Sequence, residues 1–117
     1  MNKRKIGSGY ENLAAAFLKQ QGYLIREMNF RCRQGEIDIV AQEGKYLVFA
    51  EVKYRKDMAE GGPLAAVDAR KQRQISRTAL FYLSKNRLPE DTPVRFDAVG
   101  ITPDETKLVR NAFDFQP

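Results

Sequence analysis

The chain has 117 residues, 43% of them hydrophobic, which is enough for one domain with a core but not for two. A formal net charge of +5 favours an anionic partner. The absence of histidine excludes His-based nuclease mechanisms, Ser or Cys triads and His-ligated zinc, and the single Cys32 excludes an internal disulfide and a Cys-x-x-Cys metal site.

The first predicted element is a helix over residues 8–21, which is followed by Gly22. Its apolar stripe is Tyr10, Leu13, Ala14, Phe17 and Leu18. Ser8 and Glu11 match the Ser-x-x-Glu capping box, in which the glutamate side chain returns to the backbone N–H of the serine. Glu11 also borders the apolar stripe, from which it could reach a neighbouring metal site, so both roles stay open.

Three strands are predicted next. Residues 23–30 form the first, and residues 35–41 and 46–53 form a hairpin, because both arms are rich in Val, Ile and aromatic residues and a Glu-Gly pair separates them. If Glu43 and Gly44 are a two-residue loop, the numbers of paired residues add to 87. Asp38 is then opposite Phe49, and Glu36 is opposite Glu51. The same face of the hairpin carries four charged side chains: Glu36, Asp38, Glu51 and Lys53.

These charged residues on core strands require an explanation, because a buried unpaired charge costs several kcal/mol. Two carboxylates, Asp38 and Glu51, without histidine or cysteine are typical of a site for Mg²⁺ or Mn²⁺. Lys53 is placed to orient a water and to offset the charge of a phosphate in its transition state. The alternative is a salt-bridge cluster at a sheet edge. A three-residue loop would separate the acids.

The remaining elements complete an α/β fold. Residues 56–62 are predicted to be a loop, Pro63 begins a second helix that runs to about Asn86, and residues 94–101 and 108–113 are strands. A strand, a helix and a strand in this order form a right-handed crossover, so strands 46–53 and 94–101 should be parallel. The mixed sheet flanked by helices is expected to be one domain over residues 1–117, with a core over about 7–101 and a C-terminal tail over 102–117.

Several basic and acidic residues outside the hairpin have two interpretations. Lys71 lies on the apolar stripe of the second helix, where it could face a phosphate, face the carboxylates, or extend its ammonium to solvent. Asp97 could be a third acid near the metal or, more simply, the partner of an arginine. Arg70, Arg73 and Arg77 of the second helix could contact phosphates, but exposed arginines on a helix are more often a solvated face. Phosphate contacts are instead predicted for the arginines that flank the site in sequence: Arg31, Arg33 and Arg55.

The residues of the hairpin resemble a known motif. Asp38 followed by Glu51-Val52-Lys53 is similar to the D…ExK core of the PD-(D/E)XK nuclease superfamily. The wider pattern resembles the YraN-like family of small bacterial proteins, related to archaeal Holliday junction resolvases. It covers about residues 7–101 and includes these matches: Gly9-Tyr10-Glu11, Ala14, Leu18, Asn29-Phe30-Arg31, Arg55, Lys71 and Arg95-Phe96-Asp97. The Gln-xxx-Tyr signature of the RecB-like branch is absent, since Gln74 is followed by Thr78.

The resemblance implies a restriction-endonuclease-like core and cleavage of nucleic acid. It makes Asp38 and Glu51 metal ligands, Lys53 the catalytic lysine and Glu11 a helix-borne acid. On the predicted hairpin face, Glu36 or Glu11 is expected to adjust the site. We expect a Mg²⁺- or Mn²⁺-dependent endonuclease-like phosphodiesterase that acts on DNA rather than RNA. The alternatives are a nucleic-acid-binding module without turnover and an accessory protein. A cytoplasmic location without membrane contact is expected, and the oligomeric state is open, a homodimer included.

Overall fold

The computed structural model describes the backbone of residues 3–56 and 67–117 and the side chains of residues 9–56 and 67–117. Within these residues the chain forms two helices and five strands. Their bounds in chain order are α1 Lys3–Gln20, β1 Leu24–Cys32, β2 Gly35–Glu43, β3 Tyr46–Tyr54, α2 Ala69–Lys85, β4 Val94–Ile101 and β5 Thr106–Phe113. No helix in this part of the chain is long and apolar enough to cross a membrane.

The five strands form one mixed sheet in the order β1-β2-β3-β4-β5. Strands β3 and β4 pair in parallel, as the predicted crossover requires, and the other three pairs are antiparallel. The predicted α/β class with a restriction-endonuclease-like sheet is confirmed. The C-terminal residues predicted to be a tail contribute β5, and Phe113 at its end is buried in the core, whereas Phe115 is exposed.

Each face of the sheet buries its own hydrophobic core against one helix. The α1 side packs alanines and Leu18 of the helix against small strand residues such as Ala41 and Ala50. The α2 side packs Tyr82 edge-on against Phe30 and Phe49. Small residues on one side and aromatic rings on the other let a helix cover each face closely, so the sheet is buried on both sides.

The regular alternation of strand β2 breaks at Asp38. Val40 packs on the α2 side and Ile39 on the α1 side, as a period of two requires. Ile37 should then share the side of Ile39, but it packs on the α2 side. Strand β2 therefore twists near Asp38, and this residue lies where side chains from both faces of the sheet can approach it.

The register of the hairpin differs from the predicted one by two residues. Glu43 pairs with Tyr46 and Ile39 with Ala50, so paired numbers add to 89 and the loop is Gly44-Lys45. Gly44 adopts a positive φ of 58°, a backbone conformation that such turns require and that glycine adopts readily. A shift of two preserves the face of every side chain, so the prediction that Asp38 and Glu51 meet survives the error.

Two helix starts were predicted incorrectly. Helix α1 begins at Lys3, so Ser8 lies inside it and the predicted capping box at Ser8 is wrong. Helix α2 begins at Ala69, with Asp68 as its N-cap residue, because the Asp68 side chain accepts a hydrogen bond from the backbone N–H of Lys71 at 2.8 Å. Pro63, the predicted helix start, lies outside the described residues, as does most of the predicted loop over 56–62.

Candidate metal centre and basic surface

The candidate site lies where the sheet splits between β2 and β3. These strands pair only as far as Ile39 and Ala50, after which β2 continues along β1 and β3 continues along β4. Extending the register places Asp38 level with Glu51, not with Phe49, and Glu36 level with Lys53. In the gap, Asp38 Oδ2 accepts a hydrogen bond from the backbone N–H of Val52 at 2.8 Å. A side chain thus replaces the lost ladder hydrogen bond and fixes the Asp38 carboxylate beside Glu51.

The Asp38 and Glu51 carboxyl groups influence each other, and both have raised pKa values. Burial and the charge of Asp38 together raise the pKa of Glu51 to about 8, although the nearby Lys71 and Lys53 ammonium groups partly offset their effect. Burial likewise raises the pKa of Asp38, against the hydrogen bond from Val52. Without a cation, burial and the neighbouring carboxylate favour the protonated form of Glu51.

Glu11 approaches Asp38 from helix α1 and completes an acidic cluster. One carboxylate oxygen of Glu11, one of Glu36 and one of Asp38 all lie within 4.8 Å of one another, a spacing that could hold a metal ion. Burial and the charges of Asp38 and Glu36 raise the pKa of Glu11 to about 6, and hydrogen bonding by Asn29 partly offsets this rise. Glu11 Oε2 is buried and has no hydrogen-bond partner within the described part of the chain.

The donor set fits a hard divalent cation. Only carboxylate oxygens converge here, and Mg²⁺ and Mn²⁺ prefer oxygen ligands. The unpaired buried oxygen of Glu11 is costly without a proton or a cation, so a bound cation would satisfy it. Asp38 belongs both to this trio and to the predicted pair with Glu51. That Asp38 and Glu51 together hold a metal ion remains a prediction, because the acids whose oxygens lie close enough to share an ion are Glu11, Glu36 and Asp38.

Two lysines border the acids. The Lys71 ammonium lies 3.7 Å from Glu51 Oε1, and the side chain of Glu51 is only 12% exposed. Lys71 therefore faces the carboxylate cluster, which was one of its predicted alternatives. Lys53 is half-buried two residues after Glu51 on the same face of β3, and its charge acts on Glu51.

The three arginines predicted to contact phosphates are exposed near the site. Arg31 forms an ion pair with Glu36, with 3.4 Å between Nε and Oε1. Arg33 lies in the β1–β2 turn, and Arg55 follows β3, where its guanidinium donates to the carbonyl oxygen of Tyr54 at 2.7 Å. Arg31 partly neutralises Glu36, whereas Arg33 and Arg55 are exposed cations that flank the acidic strands in sequence.

Asp97 is fully buried away from the acidic cluster, among groups that hold its carboxylate. It accepts hydrogen bonds from the Tyr23 hydroxyl at 2.6 Å, from the Arg95 guanidinium at 2.9 and 2.7 Å, and from the backbone N–H of Asn111 at 2.9 Å. Arg95 also donates to Glu43, whose pKa its partners lower to about 2. Asp97 is thus the partner of an arginine, as the simpler interpretation held.

Sequence reasoning assigned no role to Asn29, which supports Glu11. It adopts a positive φ of 55° inside strand β1, a conformation that asparagine tolerates better than most residues. Its side chain hydrogen-bonds to Glu11. An asparagine within a strand was the available signal, since this residue is depleted in strands and its presence suggests special backbone geometry.

The fold and the site define a class. A mixed α/β sheet of restriction-endonuclease-like form carries an Asp…Glu-x-Lys arrangement at the split between two strands, with a further acid from the first helix. The model of the uncharacterised protein family UPF0102 matches residues 10–101, and the chain belongs to this family. UPF0102 is the YraN-like family and is PD-(D/E)XK nuclease-like, so the predicted resemblance is confirmed.

Similar proteins occur in diverse bacteria, and the following three each carry the name UPF0102 protein. The chain is 54% identical over 114 residues to one from Lachnoclostridium phytofermentans, covering 97% of both chains. It is 51% identical over 102 residues to one from Pelobacter propionicus, covering 86% of this chain and 72% of the relative. It is 39% identical over 119 residues to one from Caldicellulosiruptor saccharolyticus, covering 97% of this chain and 100% of the relative.

Proposed function

We propose that this protein is a metal-dependent nuclease that hydrolyses phosphodiester bonds in nucleic acid, with DNA, including branched DNA, as the favoured substrate. The observation that carries the proposal is the meeting of Asp38, Glu51 and Lys53 at the gap between β2 and β3. A cluster that served only to stabilise the fold would pair its charges, but here one acid keeps a buried oxygen unpaired and another has a pKa near 8.

In the proposed reaction, water adds to phosphorus, one P–O bond breaks, and the leaving oxygen gains a proton. Asp38 and Glu51 would hold a divalent cation, Mg²⁺ or Mn²⁺, which when bound would supply positive charge that favours ionisation of water and offsets charge on the phosphate. Lys53 orients the attacking water and donates hydrogen bonds to the phosphate oxygens as negative charge develops on them. Glu36 and Glu11 adjust the charge of the site, and Arg31, Arg33 and Arg55 position the substrate backbone.

The test is cleavage of linear, nicked, branched and single-stranded DNA by purified protein with Mg²⁺ or Mn²⁺. Lys53→Met should lower the cleavage rate at least about a hundredfold while binding changes little, because its charge matters mostly in the transition state. Glu51→Gln should abolish cleavage while binding persists. The matched control is Lys45→Met in the β2–β3 turn, at the far end of the hairpin, which should cleave like the wild type.

Binding by fluorescence anisotropy separates the enzyme from a binding module. Arg31→Ala and Arg33→Ala should weaken binding and flatten its salt dependence whether or not the protein cleaves. If the wild type binds DNA but cleaves none of the four substrates with either metal, the nuclease proposal fails and a binding module replaces it. In that case Lys53→Met should lower affinity as the loss of any phosphate-contacting cation does.

A further inference from the structure

A groove of about 330 Å³ opens on the surface where helix α2 passes the β1–β2 turn. Its lining is Gln34, Arg70, Arg73, Gln74 and Arg77. Arg73 follows Arg70 by three residues and Arg77 follows Arg73 by four, which places all three along one side of the helix. Ile75 and Ala79 of the same helix are buried in the core, so the arginines form the outward side.

The groove is held in shape by close packing of the turn against the helix. A Cβ atom on Gly35 would lie 2.7 Å from Cγ of Gln74, closer than nonbonded carbon atoms approach, and Gly35 has a φ of 153°. Gln34, which precedes Gly35, lines the same groove as Gln74. The two glutamine amides thus lie against a fixed turn, between the arginines and the start of strand β2.

Within the described part of the chain, no acid forms an ion pair with the arginines of this groove. Arg70, Arg73 and Arg77 are all exposed. Arg95 and Arg110, by contrast, both pair with Glu43. Three neighbouring guanidinium groups without acids repel one another, and phosphate groups, which guanidinium can bind through two hydrogen bonds, would relieve that repulsion.

The groove adjoins the proposed active site through one turn of helix α2. Lys71 follows Arg70 and lies 3.7 Å from Glu51, so the helix that carries the arginines also contacts the acids. The seven residues from Arg70 to Arg77 extend about 10 Å along the helix axis. That length is close to about three nucleotide steps of one strand of duplex DNA, at roughly 3.4 Å each.

We propose that the groove formed by Arg70, Arg73 and Arg77 binds the phosphate backbone of a nucleic-acid strand as that strand leaves the proposed active site. The inference rests on the proposed function for the identity of the anion, but binding in the groove does not require cleavage. It assigns a role to arginines that the sequence alone places on a solvated face. Gln34 and Gln74 supply uncharged hydrogen bonds to the same strand.

The experiment measures binding of a fluorescein-labelled 30-nucleotide DNA, as a duplex and as a single strand, in EDTA over a series of salt concentrations. The triple variant Arg70→Gln/Arg73→Gln/Arg77→Gln should bind at least about tenfold more weakly at 0.1 M salt. Its plot of log affinity against log salt for the duplex should be flatter by about two to three, since each phosphate contact contributes about 0.9. Substituting the same arginines by lysine should retain most of the slope.

The matched control removes three exposed cations from the opposite end of the sheet: Lys19→Gln/Arg26→Gln/Lys45→Gln. It carries the same net charge as the groove variant, so it should keep affinity within about threefold and a slope within about 0.5 of the wild type. Equal losses in both triple variants would overturn the groove, because the effect would then be one of net charge. No binding by the wild type would overturn it as well. Thermal unfolding of each variant checks that it folds.

Cleavage by the same proteins keeps this inference separate from the proposed function. If the wild type binds without cleaving and the groove variant loses binding, the nuclease proposal falls while the groove stands. If the wild type cleaves and the groove variant binds and cleaves at the wild-type level, the groove falls while the nuclease proposal stands.

Discussion

Asp38 and Glu51 lie level with each other across the gap between β2 and β3, where burial raises the pKa of both carboxyl groups. The backbone N–H of Val52 holds Asp38 in place, and Lys71 lies 3.7 Å from Glu51. Two neighbouring buried acids destabilise the fold when both are ionised, unless a cation binds between them.

The first prediction concerns the stability of the metal-free protein. The folded-state pKa of Glu51 is raised from 4.5 to about 8, so ionising this group opposes folding. The free energy of unfolding should therefore decrease as pH rises from about 5 to about 8, whereas an acid with a lowered pKa would have the opposite effect. One pKa unit corresponds to about 1.4 kcal/mol, and we expect a loss of at least that size.

Urea unfolding in EDTA at several pH values measures this effect. Glu51→Gln removes the ionisable group, so most of the decrease in unfolding free energy between about pH 5 and pH 8 should disappear. Glu27→Gln, on an exposed position of β1, serves as the control and should retain it. A variant Glu51→Gln with the same pH dependence as the wild type would show that the buried pair does not govern stability in this range.

A second prediction concerns Glu11. If this residue is a metal ligand, Glu11→Gln should weaken Mn²⁺ binding about tenfold or more, because it removes a charged oxygen ligand from the acidic cluster. The effect on the free energy of unfolding should be small or favourable, since the charge of this partly buried carboxyl group disappears while its shape is kept. Calorimetric titration at pH 8, with Glu27→Gln as the control, tests this. Unchanged affinity would remove Glu11 from the site.

The sequence predicts the candidate site better than it predicts the helix boundaries. The hairpin register is wrong by two residues, yet Asp38 and Glu51 still meet, because side chains in a strand alternate with a period of two. The turn could be placed on Glu43-Gly44 or on Gly44-Lys45 by composition alone. The hydrogen bond from Val52 to Asp38 could not be predicted, since it depends on the split between strands that a single hairpin does not reveal.

Helix starts were harder to predict because local signals compete. The Ser-x-x-Glu pattern at Ser8 predicts a cap, but the helix extends through it from Lys3, whose neighbours are compatible with helix. For α2, proline at position 63 favours a helix start, whereas the observed N-cap is Asp68. The role of Lys71 was left open for a different reason, since only tertiary packing decides whether a lysine on an apolar stripe reaches an acid or solvent.

The third prediction tests the structural role of Asp97. Asp97→Asn removes a buried charge that pairs with Arg95 and accepts hydrogen bonds from Tyr23 and Asn111. The variant should lose about 1.5–3 kcal/mol of unfolding free energy, because the charged acceptor of these hydrogen bonds is lost while Arg95 keeps Glu43 as an acidic partner. Mn²⁺ affinity, measured at a low temperature where the variant is folded, should not change. A loss of Mn²⁺ affinity without a loss of stability would return Asp97 to the metal site.

The last prediction distinguishes Lys71 from the acids that it contacts. Its ammonium lies beside Glu51 and repels any cation that binds there, so Lys71→Met should tighten Mn²⁺ binding. The effect should be about two- to fivefold, because the side chain is 38% exposed and such contacts contribute about 1 kcal/mol or less. The measurement belongs at pH 8.5, since loss of the lysine also raises the pKa of Glu51, and protonated Glu51 binds metal poorly. Lys85→Met, in the last turn of the same helix, is the control and should leave the affinity unchanged. Weaker binding by Lys71→Met would instead mean that the lysine holds Glu51 in position as a ligand.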